Sequence, residues 1–139
     1  MQRVEITQDF TLPVERVFAY LAEHGNLEPI FGAKITRVRD GDAEPNGVGS
    51  VRRLKIGPLP PLEETVTAFV PNELIEYKIT KGSPLKDHVG TMRFRSTETG
   101  SRLHYVIDFG AKIPGLDRIV RAGLARSISQ NLPKVDRFA

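Results

Sequence analysis

The chain contains no cysteine. Disulfides, thiolate metal sites and cysteine nucleophiles are therefore excluded, and the absence suits a reducing compartment. Tryptophan is also missing, and aromatic residues make up only 7% of the sequence. No apolar run approaches the roughly 20 residues that a membrane-spanning helix needs. The opening residues MQRVEITQDF carry no apolar signal region. A cytoplasmic protein with no stable membrane insertion is expected. Neither charge sign dominates: 20 Lys and Arg stand against 17 Asp and Glu, giving a net +3. The two signs are mixed along the chain, which reads as a solvated surface and not as a nucleic-acid-binding stripe. Repeats, linkers and low-complexity blocks are absent, so residues 1–139 are expected to form a single domain. A chain of this size buries roughly 68–70% of its unfolded surface, enough for a core without staples.

What is present is periodicity. Arg3–Phe10 alternates like a strand, with Val4, Ile6 and Phe10 on one face. TLPVERVFAYLAEHGN then has the spacing of a helix through Val14, Val17, Phe18 and Leu21. Thr11 is its expected cap, Pro13 suits its first turn, and Gly25 is its expected end. NLEPIFG is long enough for one helical turn only. Six strand-like runs follow: Lys34–Arg39, Gly49–Ile56, Glu63–Val70, Leu74–Thr80, His88–Thr97 and Arg102–Ala111. The breaks between them, DGDAEPNG, GPLPP, PN, KGSPLKD and ETG, carry turn residues. From Ile113 the period becomes helical, with an apolar stripe through Leu116, Val120, Leu124, Ile128, Leu132 and Val135. Pro133 predicts a break near Asn131–Pro133. Consecutive strands with short turns imply an antiparallel sheet, and the long helix must bury its stripe on it.

Parity along the strands assigns an inner face. A turn at Glu98–Gly100 sets Phe94 opposite Tyr105 and Met92 opposite Ile107, with Gly90, Leu103 and Phe109 on the same face. Arg93, Arg95, His104 and Asp108 then face outward. A turn at Pro71–Asn72 sets Val66 opposite Tyr77 and Ala68 opposite Ile75, so Glu64, Val66, Ala68 and Val70 point inward. Carried across GPLPP, the same parity turns Arg52, Leu54 and Ile56 inward. Arg52 and Glu64 are thus expected to share the interior on adjacent strands. Burying either charge is costly unless the two are paired or face a wet cavity. Tyr77 and His88 fall on the same face.

These residues make a candidate site. Arg52 with Glu64 can anchor a polar group of an otherwise apolar ligand, or form a structural ion pair. His88 has the chemistry of a general acid or base, but an exposed loop histidine is the simpler reading. Tyr77 and Tyr105 can donate phenolic hydrogen bonds or serve as core. Met92 and Leu124 would supply apolar wall. His24 and His104 share no metal-ligand spacing with His88, so neither a metal nor a cofactor is expected. GVGS precedes a strand and not a helix, which argues against a phosphate loop. GNLEPIFG and GPLPPL are candidates for the mouth of a cavity.

The chain resembles the START-related SRPBCC superfamily, within it the polyketide cyclase/dehydrase-like branch. The resemblance spans nearly all of residues 2–132. It rests on the order and spacing of LPVERVFAYLAEHGNLEPIF, GVGSVRRL, EETVTAFVPNELIEYKI, HVGTMRF and TGSRLHYVIDF before a terminal amphipathic helix. Relatives often carry Trp-Pro near the second short helix, where this chain has Glu-Pro. The resemblance implies an α+β helix-grip fold: a curved seven-stranded antiparallel sheet wrapped around a long C-terminal helix, with two short helices after the first strand. It implies binding of a hydrophobic or amphipathic small molecule in a cavity between sheet and helix, the ligand being largely apolar with one acidic or hydrogen-bonding group. The alternative is a cyclase/dehydratase-type enzyme that moves protons with His88 or the Arg52–Glu64 pair. A third class, an interaction module of the activator-of-chaperone type, shares the fold. Whether a reaction is catalysed, and whether the chain forms a homodimer, are left open.

Overall fold

A computed structural model describes residues 1–139. Seven strands form one antiparallel sheet: β1 (Gln2–Phe10), β2 (Lys34–Arg39), β3 (Val51–Lys55), β4 (Leu62–Val70), β5 (Leu74–Lys81), β6 (Leu85–Thr97) and β7 (Gly100–Ala111). Their spatial order is β1-β7-β6-β5-β4-β3-β2, so β1 and β2 are open edges. Between β1 and β2 lie α1 (Val14–Ala22), a 3-10 turn (His24–Leu27) and α2 (Glu28–Phe31). The chain ends in α3 (Leu116–Asn131), a 3-10 turn (Leu132–Lys134) and α4 (Val135–Phe138), so the helix breaks where Pro133 requires it.

The inner face follows the alternation of the sequence. Met92, Phe94, Leu103, Tyr105, Ile107 and Phe109 are buried, while Arg93 and Arg95 are exposed. His104 is half-exposed and contacts Glu5 on the outer face. The register within the last hairpin differs from expectation by two residues. Thr97 pairs with Gly100, so Phe94 faces Leu103 and Met92 faces Tyr105. The tighter turn moves the partners by one full pleat, which leaves every side chain on its expected face.

Elsewhere bulges alter the pattern. The ladder between β4 and β5 keeps Val66 opposite Tyr77 but shifts between Val66 and Ala68. Beyond the shift Phe69, not Ala68, faces Ile75, and Phe69 packs edge-on against Phe18 with ring centroids 5.2 Å apart. Val70 is left exposed. An extra residue reverses the pleat, and the bulky aromatic takes the inward position. At the start of β6 a second bulge lies between Lys86 and Val89, with Asp87 at φ 53°. The strand therefore begins at Leu85, within the segment expected to be loop.

Two helix-end expectations are also corrected. Thr11 does not cap α1; Pro13 is at the N-cap and no side-chain bond forms. The Thr11 amide and hydroxyl instead donate to the Asp136 carboxylate at 2.9 and 3.0 Å, and the Leu12 amide donates to it at 3.2 Å. Gly25 does not end α1, because Glu23 already leaves the helical region at ψ 117° and Gly25 falls inside the following 3-10 turn.

The core is closed where α1 and the C-terminal segment meet the sheet: Val17, Leu21, Leu27, Ile128 and Leu132 are at most 1% exposed. The first half of α3 is different. Leu116, Val120 and Leu124 are only half-buried, and Ile119 is 70% exposed. The apolar stripe is present, but only Ile128 within α3 is fully buried.

Candidate functional site

Arg52 on β3 and Glu64 on β4 are direct partners across the ladder, so the GPLPP turn preserves the expected parity. Their side chains are 3% and 7% exposed. The guanidinium Nε donates to Glu64 Oε1 at 2.8 Å, and Nη2 lies 2.8 Å from the same oxygen without a well-aligned bond. The cation also lies 4.6 Å from the ring centroid of Tyr77 and 5.8 Å from that of Phe31. Burial is the largest single influence and disfavours the Arg52 charge, but Glu64, Tyr77 and Tyr105 together outweigh it and the guanidinium holds its proton more tightly than usual.

Glu64 Oε2 points the other way. It lies 3.9 Å from His88 Nε2. His88 is buried, and its Nδ1 accepts the backbone N–H of Ile79 at 3.0 Å. The ladder between β5 and β6 ends at Tyr77 and Gly90, so the imidazole stands in for a missing backbone carbonyl. A backbone amide can only donate. In the neutral ring the hydrogen therefore sits on Nε2, facing Glu64. Burial lowers the His88 pKa; Glu64 opposes that shift and Arg52 adds to it.

Tyr77 and Tyr105 share a short hydroxyl-to-hydroxyl hydrogen bond. Burial pushes both phenols well above their ordinary range. A second buried polar pair lies farther off: His24 Nε2 contacts Ser50 Oγ at 3.3 Å. Burial, with Arg52 and Arg37 nearby, takes the His24 pKa from 6.5 to about 3. No residue pattern marks this inward histidine, since it sits in a glycine-containing turn. No three His, Asp or Glu side chains converge as a metal-holding cluster.

Beside Glu64 and His88 lies a cavity of about 320 Å³ between the sheet and the first half of α3. Twelve of its fifteen lining residues are hydrophobic, so its wall is apolar except near the Glu64–His88 end. Leu59, from the proline-rich turn, and Ile119 line it while remaining 50% and 70% exposed, which puts them at its mouth. Glu64, Tyr77, His88 and Leu124 line the cavity. Arg52, Tyr105 and Met92 do not: Arg52 is held by Glu64, Tyr105 by Tyr77, and Met92 lies in the core opposite Tyr105. Ile79 and Gly123 line it as well.

An open antiparallel sheet with a long C-terminal helix over one face, and a cavity between them, defines a helix-grip protein. The chain belongs to the polyketide cyclase/dehydrase and lipid transport family, whose model matches residues 1–137. No curated protein matches it. Among solved structures it is similar to the Zhui aromatase/cyclase of Streptomyces sp. R1128, with TM-score 0.70 and 19% identity over 98% of this chain and 89% of that one. Protein MLL2253 of Mesorhizobium loti is similar at TM-score 0.71 and 18% identity, covering 98% and 95% of the two chains. The Aha1 dimer of Colwellia psychrerythraea gives TM-score 0.70 and 12% identity over 96% and 95%. At these identities the structural likeness shows the fold alone.

Proposed function

We propose that this protein binds a hydrophobic or amphipathic small molecule in the cavity between the sheet and α3. The observation that carries the reading is an apolar space of about 320 Å³ with titratable groups gathered at one end. Small-molecule sites run from roughly 300 to 1,000 Å³ and combine apolar walls with a few placed polar groups. The family's printed description, which includes lipid transport, supports the same reading.

Gly123 supplies the test. It lines the cavity, and a Cβ there would meet nothing within 4 Å. Gly123→Leu should fill the space and favour the helix. Native mass spectrometry of the wild type should find a co-purified small molecule, or the protein should take up an apolar fluorescent probe saturably; Gly123→Leu should do neither while staying folded. Uptake that is unchanged in the variant would place binding elsewhere.

A second reading, an enzyme of the cyclase/dehydratase type, is favoured by the 3.9 Å spacing of Glu64 Oε2 and His88 Nε2. Such a pair can accept and donate a proton on opposite sides of a bound hydroxyl. It predicts turnover that Glu64→Gln abolishes while the protein stays folded.

A further inference from the structure

We infer that the cavity selects ligands bearing a neutral hydroxyl group, an alcohol or a phenol, over carboxylic acids of the same shape. The inference rests on the binding reading above and specifies its ligand class.

The buried cation of the site is not available to a ligand. Arg52 does not line the cavity, and its Nε is committed to Glu64 Oε1 at 2.8 Å. What the cavity presents is the Glu64 carboxylate, whose Oε2 is not the oxygen held by Arg52, and the imidazole of His88. A ligand carboxylate entering there would meet a carboxylate first, in an apolar surrounding where like charges repel strongly.

The two groups do suit a hydroxyl. Glu64 Oε2 accepts, and His88 Nε2–H donates because Ile79 N–H already occupies Nδ1. Their separation of 3.9 Å is too long for a direct hydrogen bond. An oxygen at about 2.8 Å from each would bridge them, donating its proton to the carboxylate and accepting from the imidazole. A hydroxyl makes both bonds at once. A hydrocarbon makes neither, and a carboxylate can accept but cannot donate. The Tyr77 hydroxyl does not compete, since it is paired with Tyr105. The remaining wall, including Leu54, Ile79, Ile107 and Val120, fits the apolar body of such a molecule.

Three matched probe series test this by isothermal titration calorimetry on the full chain at pH 7: 4-alkylphenols, the corresponding alkylbenzenes and the corresponding 4-alkylbenzoates, each from propyl to octyl. A hydrogen bond to a charged group is worth enough to favour the phenol over its hydrocarbon and its benzoate by at least about tenfold. In Glu64→Gln the repelling charge is gone, so the benzoate should gain at least about tenfold relative to the phenol. Benzoates binding as tightly as phenols in the wild type, or alkylbenzenes doing so, would overturn the hydroxyl selectivity while leaving the cavity as a binding site. If no member of any series binds, the binding reading falls, and this inference with it.

Discussion

The ring of Tyr77 fills the space that a side chain at position 90 would occupy. Tyr77 and Gly90 are direct partners across β5 and β6, and a Cβ on Gly90 would collide with Cζ, Cε1 and Oη of the phenol. The glycine thus gives the tyrosine room to lie over its neighbour's backbone, next to both Arg52 and Tyr105. Gly90→Ala should destabilise the protein by about 1–3 kcal/mol through overpacking. Tyr77→Leu should relieve part of that loss, so urea melts of the double variant should show less damage than the two singles added together. Additive losses would mean that the strain at position 90 does not come from the Tyr77 ring.

The Arg52–Glu64 pair is buried, so removing one member should hurt more than removing both. Arg52→Met strands a carboxylate that is 7% exposed and should cost about 3–5 kcal/mol. Adding Glu64→Leu takes the charge away with its partner and should restore much of that loss. Equilibrium denaturation of the two variants checks the order. A double variant less stable than the single would show that Glu64 is held by more than Arg52.

Leu124 and Ile128 lie one turn apart on α3 but should respond very differently to truncation. Ile128 is 0% exposed and packs in the core, so Ile128→Ala should cost about 2–5 kcal/mol. Leu124 is half-buried and faces the cavity, so its replacement by alanine should cost about 1 kcal/mol or less. Equal losses in denaturant melts would mean that the start of the helix is packed like its end.

Stability should fall on acidification below the ordinary histidine range. His24 is held at about 3 in the folded chain against 6.5 when unperturbed, and His88 is shifted in the same direction. Above pH 6.5 both are neutral, folded or unfolded, and the full stability is present. Below it the unfolded chain takes up protons that the folded chain refuses, so stability declines as pH falls toward 3. For His24 the loss approaches about 1.4 kcal/mol per pH unit, and His88 adds to it in the same direction. Urea unfolding at several pH values, with His24→Gln as comparison, should show a slope shallower by one proton in the variant. Identical slopes would mean that His24 titrates normally.

The strand faces were legible because one side of the sheet is core and the other is solvent, which enforces strict alternation from Gly90 to Phe94 and from Leu103 to Phe109. The inward pairing of Arg52 with Glu64 followed from the same parity. Bulges were not legible. Nothing in TVTAFV says that the pleat reverses after Val66, since Ala68, Phe69 and Val70 are all apolar. The loop-like KGSPLKD hid the start of β6; parity turns His88 inward while that loop setting argues for exposure, and the histidine's partner is a backbone amide that no side-chain pattern reveals. The stripe on α3 is apolar, yet period alone cannot separate a face against packed core from one against a cavity. Val120 and Leu124 are of the second kind, and Ile128 is of the first.

The terminal helix is a cantilever. Its far end is clamped: Leu132 and Val135 are buried, Ser127 Oγ donates to the Ile30 carbonyl at 2.7 Å, and Asp136 ties the chain to Thr11 and Leu12. Its near end starts at Gly115 with no side-chain cap, and from Leu116 to Leu124 one side-chain hydrogen bond holds it to the sheet, Arg121 Nε to the Arg3 carbonyl at 2.9 Å. A beam fixed at Ile128 amplifies small rotations. At 1.5 Å per residue, a tilt of about 10° would carry Leu116 through roughly 3 Å, enough to widen the gap between Ile119 and Leu59 without disturbing the core. Backbone amide exchange should then slow steadily from Leu116 toward Asn131, and a uniform rate along the helix would show a beam that moves as a whole or not at all.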